Sequence, residues 1–434
     1  MNVSRTLVAA CLCSVSTAAF ATSFEVPIAG TQSLSLAVAS AGLPSGDPDH
    51  VAGRVHDLIE HDLDMSGYFT IVPTSAHLDT RGGAAPGQFS FDDWKPLRVG
   101  ALVKFNVLPT GDRTCDPSGK SMCIDLYVYD ALGGGTLAKK RLRAPASNAV
   151  GLAHQAANEA LEAIVGQPGF FGASVLAVSE RSGNKEIYLV DLDGDGARPI
   201  TRNGSINLSP AWSVDRRYVA WTSYKRGNPD LFVKDLRSGD VRAVSTRQGV
   251  NLSPAWSPDG RFIVLARSAG ADTDLFLIEA KTGRDMRQLT SGGGIDVSPT
   301  YSPDGRRVAF ASERSGGSQI YLVSVEGGTP TRVTQIGGMF SDPTWSPDGS
   351  KIAFVSKQGG DFDVFTVSPD GSGLTRITQG MGDNEDPTWS PDSNYLVFTS
   401  TRDGRKRIWI STANGRHQVP VTKEGGWSQP VWVD

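Results

Sequence analysis

Chemistry in this 434-residue chain has few places to sit. The stretch HDLIEH (56–61) gathers two histidines and a glutamate, residue types that hold a catalytic zinc ion. Its spacing is H-x-x-x-E-H, which matches neither H-E-x-x-H nor its inverted form. On a helix His56 and Glu60 share a face while His61 points away, so the reading is of surface side chains. DLDGDG (191–196) matches the start of a calcium loop, D-x-D-x-D-G, but position 12 falls on Arg202, where a bidentate glutamate is required. It also lies where equivalent segments have plain hairpins, DLRSGD and STANGR, so a turn is expected. A serine peptidase would need a G-x-S-x-G elbow followed by an acid and a histidine. No serine has glycine at both flanking second positions, and residues 173–434 contain one histidine, His417. General acid–base catalysis is poorly supplied. The expectation is of no catalytic, cofactor-binding or metal site.

The cysteines lead to compartment instead. Arg5 precedes the apolar run TLVAACLCSVSTAAFA, which ends in Ala19-Phe20-Ala21, the small-x-small pattern of a signal-peptidase site. Cleavage between Ala21 and Thr22 makes residues 1–21 a signal peptide and the remainder a secreted mature chain. A lipoprotein box ending at Cys11 is the rival, but its apolar region is too short. Removal of the signal takes Cys11 and Cys13, leaving Cys115 and Cys123 between two strand-like runs. In an oxidising compartment this pair is expected to form a disulfide across a hairpin loop. Net charge is −4, and no basic cluster offers a nucleic-acid or anionic-membrane surface.

The elements that position everything else follow from internal repetition. SPAWSVDRR, SPAWSPDGR, SPTYSPDGR, DPTWSPDGS, DPTWSPDSN and QPVWVD place prolines at 210, 254, 299, 343, 387 and 430, spaced by 44, 45, 44, 44 and 43 residues. Each period reads as an aromatic strand, a Pro-Asp-Gly turn, an apolar strand such as KIAFVS (351–356), a third strand such as DVFTVS (363–368), and a short run ending in Thr. Four short strands per period describe a propeller blade. The first triple of strands, from Val175, has no aromatic strand before it, and the last aromatic strand, at Trp432, has no triple after it. The expected fold is therefore an α+β N-terminal domain followed by an all-β six-bladed β-propeller closed by the C-terminal strand. Trp212, Trp256, Tyr301, Trp345, Trp389 and Trp432 become structural, burying aromatic surface between blades.

Residues 22–165 lack the repeat. DPDHVAGRVHDLIEHDLDMSG carries Val51, Val55, Leu58, Ile59 and Leu63 on one helical face, with Asp47 or Asp49 as cap. Strands are expected at 68–73, 101–109, 123–131 and 136–143, and a second helix near 147–165. GQPGFFG (166–172) is a short linker into the propeller, residues 173–434. The loops entering the six aromatic strands should ring one mouth of the central channel. Asn207, Asn251, Asp296, Asp342, Glu385 and Asp386 make that ring polar to acidic, with Met339, Phe340 and Trp427 as its apolar element. Such a ring suits docking, and its acidity favours a basic partner segment or a cation at the mouth.

Signal peptide, small α+β domain and six W-S-P-D-G blades together resemble the TolB family of periplasmic proteins of the Tol–Pal system. The resemblance covers essentially the whole mature chain and includes SGYFTIVP and AHQAANEALEAIVGQPGFFGASVLAVS. It implies a monomeric, non-enzymatic adaptor supporting outer-membrane invagination during division and envelope integrity. The peptidoglycan-associated lipoprotein Pal would dock on the channel-mouth loops, including Val250, Asn251, Ser253, Asp296 and Val297. TolA would contact the mature N-terminal segment, carried here by Phe24, Glu25, Val26, Pro27 and Ile28. The Cys-bearing hairpin (110–122) resembles an insertion relative to the family. Two other readings stand beside the adaptor: the propeller accessory domain of a serine-peptidase-like hydrolase, and a solute-binding propeller.

Overall fold

The computed structural model describes residues 33–41, 50–79, 82–335, 337–358 and 360–433. The first described element is a strand, β1 (Leu34–Ser40), beyond those expected from the sequence. It becomes the second of five strands in the order β2-β1-β3-β4-β5, with β2 (Phe69–Ile71), β3 (Ala101–Leu108), β4 (Ser121–Asp130) and β5 (Gly135–Pro145). β1 runs parallel to both β2 and β3, and β3 to β5 form an antiparallel meander. Because side chains alternate along a strand, Val103, Phe105 and Val107 face one side of the sheet. There they meet α1 (Val51–Met65) and α2 (Ala149–Val165) through Val55, Ile59, Leu63, Leu152, Leu161 and Ile164.

On the opposite side Tyr127 and Tyr129 of β4 pack against a covering loop layer that brings Phe89 and Trp94. Lys104 projects into this layer, wholly buried, where it pairs with Asp79 and lies 4.8 Å from the centre of the Phe89 ring. Burying a lysine is tolerated only because the carboxylate and ring faces replace its water. His50 occupies the N-cap of α1 without a side-chain cap bond, and the expected caps Asp47 and Asp49 lie outside the described residues.

Six four-stranded antiparallel sheets follow. Five are contiguous in sequence. The sixth joins Trp427–Val433 to Ser174–Ser179, Glu186–Asp191 and Arg198–Pro199, with Trp432 opposite Val175. The C-terminal strand thus completes the first blade, as the offset repeats required. Trp256, Trp345, Trp389 and Trp432 are buried, whereas Trp212 and Tyr301 are only half-buried. Trp256 and Trp389 each donate their indole N–H to a carbonyl of the preceding blade, Ala211 and Thr344, both at 3.2 Å.

Each aromatic strand carries one irregularity at the same place. The residue before its proline has a positive φ: Ser209 (51°), Ser253 (51°), Ser298 (52°), Asp342 (50°), Asp386 (54°) and Gln429 (52°). The strand register shifts there in all six blades. For residues with a Cβ this conformation costs about 1–2 kcal/mol each. The bulge persists because the surrounding ladder and the following proline determine it from both sides.

Candidate docking face and channel

The six bulged strands are the innermost of their blades and enclose a channel of about 680 Å³. The bulge residues line it as one polar ring of three serines, two aspartates and a glutamine. Ser298 donates to Asp342 at 2.9 Å, Thr399 donates to Asp386 at 2.9 Å, and the Gln429 amide donates to Asp386 at 3.2 Å. Burial pushes the Asp386 carboxyl up to about 7, reinforced by the charge of Asp342. Asp342 is raised by burial too, with Glu385 adding to the effect. Glu385, the residue before Asp386, accepts from Lys406 at 2.9 Å.

Three residues expected on the docking surface are instead wholly buried. Asn207 accepts from the Trp221 indole at 3.0 Å and donates to Lys185 O and Glu186, both at 3.0 Å. Asn251 accepts from Ser245 at 2.6 Å and donates to Arg247 O at 2.7 Å. Asp296 accepts from Arg314 at 2.7 Å. Asn384 does the same in the sixth blade, accepting from Ser400 and Arg402. This position latches the innermost strand both to its own blade, through Trp221, Arg314, Ser400 and Arg402, and to the blade before it, through Glu186 and Ser245, so its polarity serves burial, not recognition. Phe340 and Trp427 fill it in the remaining blades and are buried as well.

What reaches solvent is the residue one step earlier. Ile206 is 44% exposed, Ile295 47% and Met339 56%, with Val250 half-buried and Met381, in the loop entering the sixth blade, at 53%. The side chains that reach solvent at these positions of the rim are therefore apolar; of the acids in the expected ring, Asp342 and Asp386 line the channel, while Asp296 is buried within its blade. Val297 and Ser253 are half-buried, the first against neighbouring blades and the second in the channel wall. An apolar residue four before the proline recurs in four of the repeats, a signal present in the sequence but overshadowed by the polar residue after it. The opposite mouth carries Pro258, Pro303, Pro347, Pro391 and Val214 from the turns.

The expected cleavage site, Ala21 and Thr22, and the expected TolA-contacting segment, Phe24–Ile28, lie outside the described residues. His56 Nε2 lies 3.0 Å from Val38 O and 3.6 Å from Glu60, while His61 is exposed. Cys115 and Cys123 are bridged, with Cα atoms 5.7 Å apart. Within their loop Asp116 accepts from the amides of Ser118, Lys120 and Ser121 and pairs with Arg143. In DLDGDG, Asp193 turns inward toward His154, so the acids do not converge on one point. Among the described residues no group of three His, Cys, Asp or Glu side chains is poised to hold a metal ion.

Comparison with known proteins adds the family. Residues 161–434 match the TolB beta propeller domain and residues 23–116 the TolB amino-terminal domain. The chain is 36% identical over 194 residues to the Tol-Pal system protein TolB of Geobacter sulfurreducens, a stretch covering 44% of this chain and 43% of that one. It is 37% identical over 217 residues to the Tol-Pal system protein TolB of Syntrophotalea carbinolica, covering 49% and 48%. The chain thus spans about half the length of the curated relatives it matches. The crystal structure of TolB from Acinetobacter baumannii superposes with a TM-score of 0.79 over 94% of this chain and 98% of that one, at 24% identity, a likeness of fold. A six-bladed propeller closed by its last strand, joined to a two-helix α+β domain and matched by both family models, makes this chain a member of the TolB family.

Proposed function

We propose that the protein is a non-enzymatic periplasmic adaptor of the Tol–Pal system, linking a Pal-like peptidoglycan-associated lipoprotein to the C-terminal domain of TolA. In this role it supports outer-membrane invagination during division and the integrity of the envelope. The observation that carries the reading is the apolar rim formed by Ile206, Ile295, Met339 and Met381. Exposed apolar side chains collected at one mouth of a rigid scaffold are docking chemistry. Methionine adds a side chain that adapts to a partner surface. Export rests on the cleavage site at Ala21-Thr22. The TolA contact rests on Phe24, Glu25, Val26, Pro27 and Ile28. Val250 at the rim and, beneath it, Ser253, Val297, Asp342, Glu385 and Asp386 complete the Pal footprint. Asn207, Asn251 and Asp296 support it from within the blades.

The test is calorimetric titration of the mature chain with the soluble domain of the lipoprotein. Ile295→Asp and Met339→Asp are expected to weaken binding at least tenfold. Val214→Asp, at the opposite mouth and 64% exposed, should leave it unchanged. Equal losses at both mouths would place the partner elsewhere. No binding by the parent protein would remove the adaptor reading.

A further inference from the structure

The N-terminal domain meets the propeller at blades 6 and 1, on the side of the Pro-Asp-Gly turns. Most of the seam is neutral. Met65 packs with Tyr395 and Trp432, Phe170 lies 4.5 Å from the Tyr395 ring, and the Tyr395 hydroxyl donates to Ser66 O at 2.9 Å. Among the described residues one charged contact crosses it. His154, on α2, has Nδ1 2.7 Å from Asp62 of α1 and Nε2 3.5 Å from Asp193, in the turn of blade 1 between Glu186–Asp191 and Arg198–Pro199. All three side chains are buried.

Burial alone would strip the imidazole of its proton. The hydrogen bonds to Asp193 and Asp62 outweigh that cost and push the His154 pKa up to about 10. The two acids respond differently. Burial keeps Asp62 above the ordinary carboxylate range despite its imidazole partner. Asp193 is also opposed by burial, yet His154, the Asp195 amide and Lys423 hold it below that range. His61 beside Asp62 and Lys423 beside Asp193 are the other charged or titratable groups facing the cluster. Across the neutral range the contact is therefore imidazolium to carboxylate, with its charge in place throughout.

Asp193 is presented rigidly. A Cβ at Gly194, whose φ is 80°, would fall 2.3 Å from Val421 O, so the hairpin is wedged against blade 6 with no room for a side chain. Lys423 ties Asp195 to the same place at 2.7 Å. Asp193 Oδ1 accepts from the Asp195 amide at 2.9 Å, and its other oxygen faces His154 on α2.

We propose that His154 is a positioning residue that pins α2 to blade 1 through Asp193 and so sets the angle at which the N-terminal domain sits on the propeller. Two bodies joined by a short linker and a mostly neutral seam can sit at more than one angle, and a buried directional ion pair selects among them. A ligand favouring another angle has to break this contact, so the cluster sets the energy gap between arrangements. This inference holds whichever partners the docking faces take.

The experiment measures distance distributions between spin labels at exposed Leu132→Cys in the N-terminal domain and Val241→Cys in blade 2 of the mature chain. The parent should give one narrow distance, unchanged between about pH 6 and 8.5 because the proton stays on His154. Asp193→Asn keeps the acceptor for the Asp195 amide and leaves the Asp62–His154 pair inside its own domain. It should broaden the distribution or add a second distance at neutral pH, while circular dichroism shows both domains folded. Asp193→Glu should recover the single distance. An unchanged distribution in Asp193→Asn, even with a lowered melting point, would make the cluster ordinary packing and overturn the proposal. So would a parent distribution that widens between about pH 6 and 8.

Discussion

Trp432→Ala tests how the ring is closed. Trp432 is 7% exposed and sits on the strand shared by both ends of the propeller, opposite Val175 and against Tyr395 and Val397 of blade 6. A buried tryptophan removes about 150–250 Å² from water. At about 25 cal/mol/Å² this is roughly 4–6 kcal/mol, an upper value that measured tryptophan truncations bring to about 3–5. The edge-on contact with Phe170, 5.5 Å away, adds about 0.5–1.5 kcal/mol. Trp212 is the informative comparison. It is only half-buried, and its indole N–H is buried without a partner. Truncating it removes less area and also an unsatisfied donor, whose burial costs about 1–3 kcal/mol. Trp432→Ala should therefore cost at least about 2 kcal/mol more than Trp212→Ala. Urea unfolding, compared at constant slope, reads the difference. Equal losses, or a larger one for Trp212→Ala, would refute the account of the closing strand as the seam on which the ring depends.

The other expectations concern the channel, the latches and the N-terminal loop. Asp386 has its carboxyl raised to about 7, so the folded protein holds a proton that the unfolded chain releases near 4. Stability should fall as pH rises from about 4 through 7, and Asp386→Asn should flatten that slope; parallel melting profiles would sink the assignment. Asn207→Ala leaves the Trp221 indole without its acceptor and takes the Asn207 donor from Glu186 Oε2, and should cost at least about 2 kcal/mol. A melting point like the parent's would return Asn207 to the surface. Reducing Cys115–Cys123, separated by eight residues, should destabilise the N-terminal domain by about 2–3 kcal/mol. Identical melting with and without reductant would show the loop to be held by Asp116 alone.

The blades, their number and the closing strand are legible because a repeat counts itself: six aromatic strands offset against six triples leave one arrangement. The two helices are legible from their apolar faces. The apolar rim is hidden for a specific reason. Strict alternation marks which residues face together only while the strand is regular, and each innermost strand bulges one residue before its proline. The bulge shifts the phase, so Asn207, Asn251 and Asp296 turn inward while Ile206 and Ile295 turn out. Nothing announces it, because Ser, Asp and Gln at the bulge lack the glycine that normally signals a positive φ. β1 escapes notice because LSLAVAS has the small residues of a strand paired on both edges, not the bulky ones that mark most strands.

The split first blade also has a temporal side. Strands that pair within one blade can do so as soon as they emerge, but Ser174–Ser179 waits for Trp427–Val433, made after all the others. Until then the nascent propeller is an open arc with an unsatisfied strand edge at its start, a template for pairing with another chain. Pairing so remote in sequence is slow to form. The waiting interval, more than any step within a blade, is where this chain is most exposed to aggregation and most in need of a chaperone.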